Sequence, residues 1–115
     1  MKKLRKLEVG TFVQVPTYCF APHRSGWNGW SFDIGQIVKI GKTKSGESAA
    51  VVQFLHDGKE AEKVFTADKI FDAQTAIAAR QIMLKDFTDE DLKNADKLRW
   101  LLERGAISRE ENENV

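Results

Sequence analysis

Residues 17–33, Thr17 to Asp33, concentrate the side chains of this sequence that are best suited to binding or reaction. These 17 residues hold 5 of the chain's 11 aromatics, namely Tyr18, Phe20, Trp27, Trp30 and Phe32, with its only cysteine, Cys19, and His23 and Arg24. Trp27 and Trp30 are flanked by Gly26 and Gly29, which let the backbone turn sharply. Exposed beside Tyr18 and Arg24, the two indoles would form a stacking platform for a base, a sugar or a peptide. The segment contains no regular pattern, and irregular loops longer than about 12–15 residues are uncommon in compact domains and often functional. The alternative is that Trp27, Trp30 and Phe32 fold back to plug a small core, since tryptophans are both highly buried on average and enriched at binding hot spots.

Catalytic chemistry has less to work with. Cys19 and His23 share the segment, and His56-Asp57 follows a later apolar run, so a Cys/His pair oriented by Asp57 would need two loops to meet. No motif around Cys19 supports an activated thiolate. Cys19 and His23 alone leave a zinc site incomplete, so no metal is expected. No dinucleotide fingerprint or phosphate-binding loop occurs: Gly41 to Gly46 contains Lys42 and Lys44 but lacks the Gly-Lys-Ser/Thr ending, which makes it a basic turn. The expectation is a noncatalytic protein without a cofactor.

Charge sharpens the binding question. The chain of 115 residues carries 18 Lys+Arg and 17 Asp+Glu, a formal charge of +1. Residues 1–50 hold 8 basic and 3 acidic residues, whereas residues 51–115 hold 10 and 14. A basic front and an acidic back therefore cancel. Neither part reaches the density of a dedicated high-affinity nucleic-acid domain. Residues 1–8 read as a basic arm kept soluble by its charge, and Lys2, Lys3, Arg5 and Lys6 could touch phosphates nonspecifically. The single cysteine excludes an internal disulfide framework, and the basic opening leads into Leu7-Glu8-Val9-Gly10 rather than into an apolar leader. With no apolar run near 18 residues, a cytoplasmic protein without a membrane partner is expected.

Elements able to position these residues follow from local patterning. Residues 9–71 read as short β runs. Thr11 to Val15 is stopped by Pro16, and Ile34 to Ile40 places Ile34, Val38 and Ile40 on one face around Gln36. Ala49 to Leu55 is apolar on both faces, as a central strand would be. Asp57-Gly58 supplies a hairpin turn into Ala61–Phe65, and Thr66-Ala67-Asp68-Lys69 separates that run from Ile70-Phe71.

Asp33-Ile34-Gly35-Gln36-Ile37-Val38-Lys39-Ile40 is similar to the glycine-then-valine second strand of KOW-type domains, and Val64 to Phe71 resembles the strand, short 3₁₀ turn and final strand that close such barrels. On these residues, 9–71 resembles the Src-homology-3-like small barrels of the KOW and Tudor type. The resemblance implies a five-stranded antiparallel barrel whose first loop serves as a recognition surface. The loop from Pro16 to Asp33 is longer than a KOW domain's.

From Asp72 onward the pattern is helical. Asp72 is placed to cap residues 73–84, with Ala73, Ala76, Ile77, Leu84 and Phe87 roughly on one face interrupted by Arg80. Thr88-Asp89-Glu90-Asp91 is a capping signal for a second helix through Leu92, Ala95, Leu98, Leu101 and Leu102, ended by Gly105. Leu98 to Glu111 is also similar to a short C-terminal bihelical module of bacterial proteins, which implies oligomerisation or tethering. The expected architecture is mainly β with C-terminal α: a small barrel over 9–71 and two helices over 72–115 packed on it. The expected function is a binding or adaptor module. In the nucleic-acid reading, Arg24, Lys39, Lys42 and Lys44 contact phosphates while Trp27 and Trp30 stack on bases. In the protein reading, Tyr18, Trp27 and Trp30 anchor a partner, with a regulatory or inhibitory role of phage or mobile-element type.

Overall fold

The computed structural model describes residues 2–21 and 27–109, with side chains outside 18–30. Five antiparallel strands form one open sheet in the order β4-β3-β2-β1-β5, where β1 is Phe12–Ala21, β2 Trp27–Lys42, β3 Ser48–His56, β4 Lys59–Thr66 and β5 Phe71–Asp72. Helices α1 (Gln74–Leu84), α2 (Asp89–Leu92) and α3 (Asp96–Glu103) follow.

The aromatic segment expected as a loop is instead the far part of a long hairpin. Pairing of β1 with β2 runs unbroken from Phe12↔Gln36 to Ala21↔Trp27, passing through Pro16↔Phe32. Pro16 does not end its strand because β5 reaches only Val13 and Gln14. Beyond that point the outer edge of β1 needs no N–H for a neighbour, which is where proline is tolerated in a sheet.

The face assignment of β2 also changes. Ile37 pairs with Val52, but the next pair is Lys39↔Val51, so Val38 is an extra residue that reverses the alternation. Ile34 packs toward the helices and Ile37 is fully buried on the other face, and past the bulge Ile40, opposite Ala50, comes to the Ile37 face, 40% exposed. Ile34 and Ile40 therefore do not share the face that strict period-two counting assigns them.

Alternation otherwise sorts the core into two layers. Val13 and Val15 of β1, Ile37 of β2, Val52 and Phe54 of β3 and Phe65 of β4 bury one face of the sheet, joined by Ile70 after the 3₁₀ turn Ala67–Lys69. The opposite face receives the helices: Ile34 and Leu55 pack with Leu84, Leu92, Leu98, Trp100, Leu101 and Ile107. At the β3–β4 turn, Asp57 and Gly58 both adopt positive φ, 51° and 77°, as a tight two-residue hairpin requires.

Among the described residues the helical region has three helices, not two. Asp72 belongs to β5 and donates its N–H to the Lys2 carbonyl, and Ala73 occupies the N-cap of α1 without a side-chain cap bond. Ala73 and Leu84 are buried and Arg80 is exposed, as the stripe suggested. Thr88 and Asp91 form a reciprocal capping box at α2. That helix ends after one turn, and the Arg99 guanidinium donates to the carbonyls of Leu92 and Lys93 at its end, at 2.7 and 3.1 Å. The end of α3 is a Schellman closure: Ala106 N–H reaches the Leu101 carbonyl, Gly105 N–H reaches Leu102, and Gly105 has φ +82°.

Candidate functional site

Three places carry the side chains relevant to function: the end of the β1–β2 hairpin, a polar cleft at its base, and the opposite end of β2. At the first, Tyr18 and Trp30 are directly opposed across the ladder, and Trp27 opposes Ala21. Arg24 and His23 lie outside the described residues, as do the side chains of Tyr18, Cys19, Trp27 and Trp30. Phe32, which the alternative reading placed in the core, is 43% exposed and packs edge-on against Phe71, with centroids 5.7 Å apart. The core on the other sheet face is filled by aliphatic residues with Phe54 and Phe65, and Phe32 is not among them.

The hairpin base is tied to the helices through Asp33. Its side chain is buried on the sheet, where one carboxylate oxygen accepts from Thr17 Oγ1 at 2.5 Å and the other from Lys97 Nζ of α3. Beside this junction lies an open cleft of about 440 Å³ bordered by Thr17, Asp33, His56, Asp57, Asp96 and Lys97. His56 Nε2 stands 3.5 Å from the exposed Asp57 carboxylate. Both Asp33 oxygens are engaged, and among the described residues no group of three or more His, Cys, Asp or Glu side chains could hold a metal ion.

The lysines form a separate group. Lys39 and Lys42 are exposed on the last part of β2, and Lys44 is exposed in the turn that follows. Thr43 N–H to the Glu47 carbonyl, at 2.9 Å, and Gly46 N–H to the Thr43 carbonyl close that turn. None of the three lysines has an ion-pair partner among the described residues. Nine residues separate Trp30 from Lys39, so at about 3.3 Å per residue their backbones lie up to about 30 Å apart along the strand. The basic and aromatic residues are therefore placed at opposite ends of β2. Sequence reasoning missed this because it treated residues 17–33 as a loop, which sets no distance between the tryptophans and the lysines.

Arg104, by contrast, is fully committed to the scaffold. Arg104 donates to Gln36 Oε1 at 2.8 Å, Gln53 Oε1 at 2.6 Å and Glu60 Oε2 at 2.7 Å, bridging three strands from the end of α3. Glu60 also accepts the Trp100 indole N–H at 2.9 Å. That indole bond, followed by Arg104, holds the Glu60 carboxyl below its ordinary value. The signal for this lock was present in alternating positions Gln36, Gln53 and Glu60, polar residues on the face that the helices cover.

The chain matches no protein-family model, no curated protein and no solved structure. Among the described residues, no helix is long and apolar enough to cross a membrane.

Proposed function

We propose that this protein is a noncatalytic nucleic-acid-associated binding module, with Lys39, Lys42 and Lys44 making the phosphate contacts. The observation that supports this reading is their concentration, exposed and without ion-pair partners among the described residues, at one end of β2 and the turn after it. Cations already neutralised by carboxylates release few counterions on binding, whereas free ones contribute fully to a salt-dependent affinity. The scaffold in this reading is a small barrel of the Src-homology-3-like class. The strand order, with β5 beside β1 and a 3₁₀ turn before it, fits that class.

Fluorescence anisotropy with a labelled oligonucleotide tests the reading. Affinity should fall steeply between about 50 and about 200 mM salt, and replacing Lys39, Lys42 and Lys44 together by Glu should abolish binding. Absence of binding at the lower salt, or binding insensitive to salt, overturns it.

Protein recognition through the hairpin end, with Tyr18, Arg24, Trp27 and Trp30, is the second reading, including a regulatory or inhibitory role. It is favoured by one specific observation: beyond Gln14 on β1 and before Gly35 on β2, the two strands pair only with each other among the described residues. A two-stranded ribbon with open edges and aromatic residues suits strand addition or aromatic anchoring on a partner. Under this reading Trp27→Ala or Trp30→Ala weakens capture of the partner while the lysine substitutions leave it unchanged.

A further inference from the structure

The N-terminal segment is a strap, and its residues alternate in a way that builds a groove. It is pinned at one end by the Lys3↔Phe71 bridge and the Asp72 N–H to Lys2 carbonyl bond of 2.8 Å, and at the other by Gly10 N–H to the Ile37 carbonyl at 2.8 Å. Between these anchors Leu4 and Leu7 turn inward against the core, which leaves Arg5 and Lys6 exposed. Opposite the strap runs the end of β2. An open groove of about 460 Å³ separates them, with Leu4, Leu7 and Ile40 contributing apolar surface, Arg5 and Lys6 on one rim and Lys42 on the other.

We infer that this groove binds a single-stranded stretch of nucleic acid, one unstacked base lying on the apolar floor and the flanking phosphates on Arg5 and Lys42, since Lys6 is already paired with the Glu8 carboxylate at 3.7 Å. The inference rests on the nucleic-acid reading of Lys42 and its neighbours and names the form of nucleic acid that they take. Two features select the single strand. A duplex presents sugars and phosphates outward and keeps its base faces stacked, so an apolar floor between basic rims would gain little from it. A flat base, by contrast, covers shallow apolar surface with its whole face, while the rims neutralise the backbone on either side. Ile40 stands out as the floor residue: it is 40% exposed on a strand whose neighbour Ile37 is fully buried. The groove volume falls within the about 300–1,000 Å³ of ordinary small-ligand sites, enough for one nucleoside.

Anisotropy titrations of the full chain with a labelled oligothymidine, the corresponding duplex and, as competitor, a polyglutamate peptide test this directly. The single strand should bind about ten-fold more tightly than the duplex. Arg5→Glu and Ile40→Ser should each weaken it several-fold. Lys59→Glu makes the same charge change as Arg5→Glu at the distant β3–β4 turn, where Lys59 pairs with His56, and should change affinity by less than about two-fold. Far-UV circular dichroism verifies folding, and Lys42→Glu supplies a second rim variant should Ile40→Ser unfold. Equal binding of strand and duplex, with Ile40→Ser silent, overturns the single-strand site while leaving a phosphate-binding protein. Displacement of the strand by polyglutamate at equal charge concentration overturns it in favour of an acidic peptide. If no oligonucleotide binds at low salt, both the inference and the reading beneath it fall.

Discussion

The guanidinium of Arg104 lies over the ring of Trp100, 4.6 Å from its centroid, while its nitrogens reach Gln36, Gln53 and Glu60 on three different strands. Stacking and forked hydrogen bonding at once demand a planar cation, which an ammonium cannot imitate. Arg104→Ala leaves the buried-side acceptors of Gln36 and Gln53 unpaired and should cost about 2–3 kcal/mol in urea denaturation. Arg104→Lys should recover less than half of that loss. Full recovery by lysine would mean that only the charge matters.

Acid should loosen the same junction. Glu60 is held below its ordinary value of 4.5 by the Trp100 indole bond and then by Arg104. A carboxyl whose folded pKa is depressed contributes stability above its unfolded pKa and loses that contribution as pH falls through the folded value. Asp91 behaves in the same direction through the Thr88 backbone and side-chain bonds of the capping box. Thermal melts should therefore show a falling midpoint as pH drops below about 4.5, and Glu60→Gln should lessen that fall while Asp91 maintains part of it. An unchanged slope in Glu60→Gln would remove Glu60 from the acid response.

These contacts show which features were legible in the sequence. The capping box at Thr88 and Asp91, the Gly105 closure and the Asp57-Gly58 turn depend on residues within a few positions of one another, and each stands where local chemistry put it. Two features depended on partners distant in sequence. Whether residues 17–33 form a loop or two strand arms depends on register: an edge left open beyond Gln14 lets Pro16 remain within a ladder. The break between α2 and α3, where Arg99 donates to the Leu92 carbonyl from the next helix, is not anticipated by helix propensity. The lysines were identifiable as exposed cations from their turn and strand-end positions. The strap that faces Lys42 was not, because backbone contacts distant in sequence, Lys3 with Phe71, Asp72 with Lys2 and Gly10 with Ile37, bring it there.

Gly35 is needed for close approach and not for an unusual backbone angle. It sits where β2 is paired on both sides, opposite Val13 on β1 and Phe54 on β3. A Cβ at this position would stand 2.6 Å from the Gln53 carbonyl oxygen, 2.6 Å from Val52 Cγ1 and 3.2 Å from Phe54 Cβ. The carbonyl belongs to the ladder and cannot swing aside. Gly35→Ala should destabilise the fold by about 1–3 kcal/mol despite being the smallest substitution available. Gly41→Ala is the comparison, since a Cβ there meets nothing within 4 Å and should have little effect on the denaturation midpoint.

Asp33 couples the hairpin to the helical layer, and its two partners should not be equivalent. The Lys97 side chain is 62% exposed and the Asp33 side chain 9%. Lys97→Ala removes a cation that water largely screens, at a cost below about 1 kcal/mol. Asp33→Ala removes a buried acceptor that Thr17 also uses, and should cost about 2 kcal/mol. The local consequence distinguishes a hinge from a general loss of stability. Thr17 and Asp33 are where the hairpin leaves the sheet, so Asp33→Ala should raise amide exchange in residues 17–21 and 27–32 more than in β3 or β4. Exchange raised equally in all strands would show that Asp33 supports the whole sheet and does not set the pose of the aromatic end.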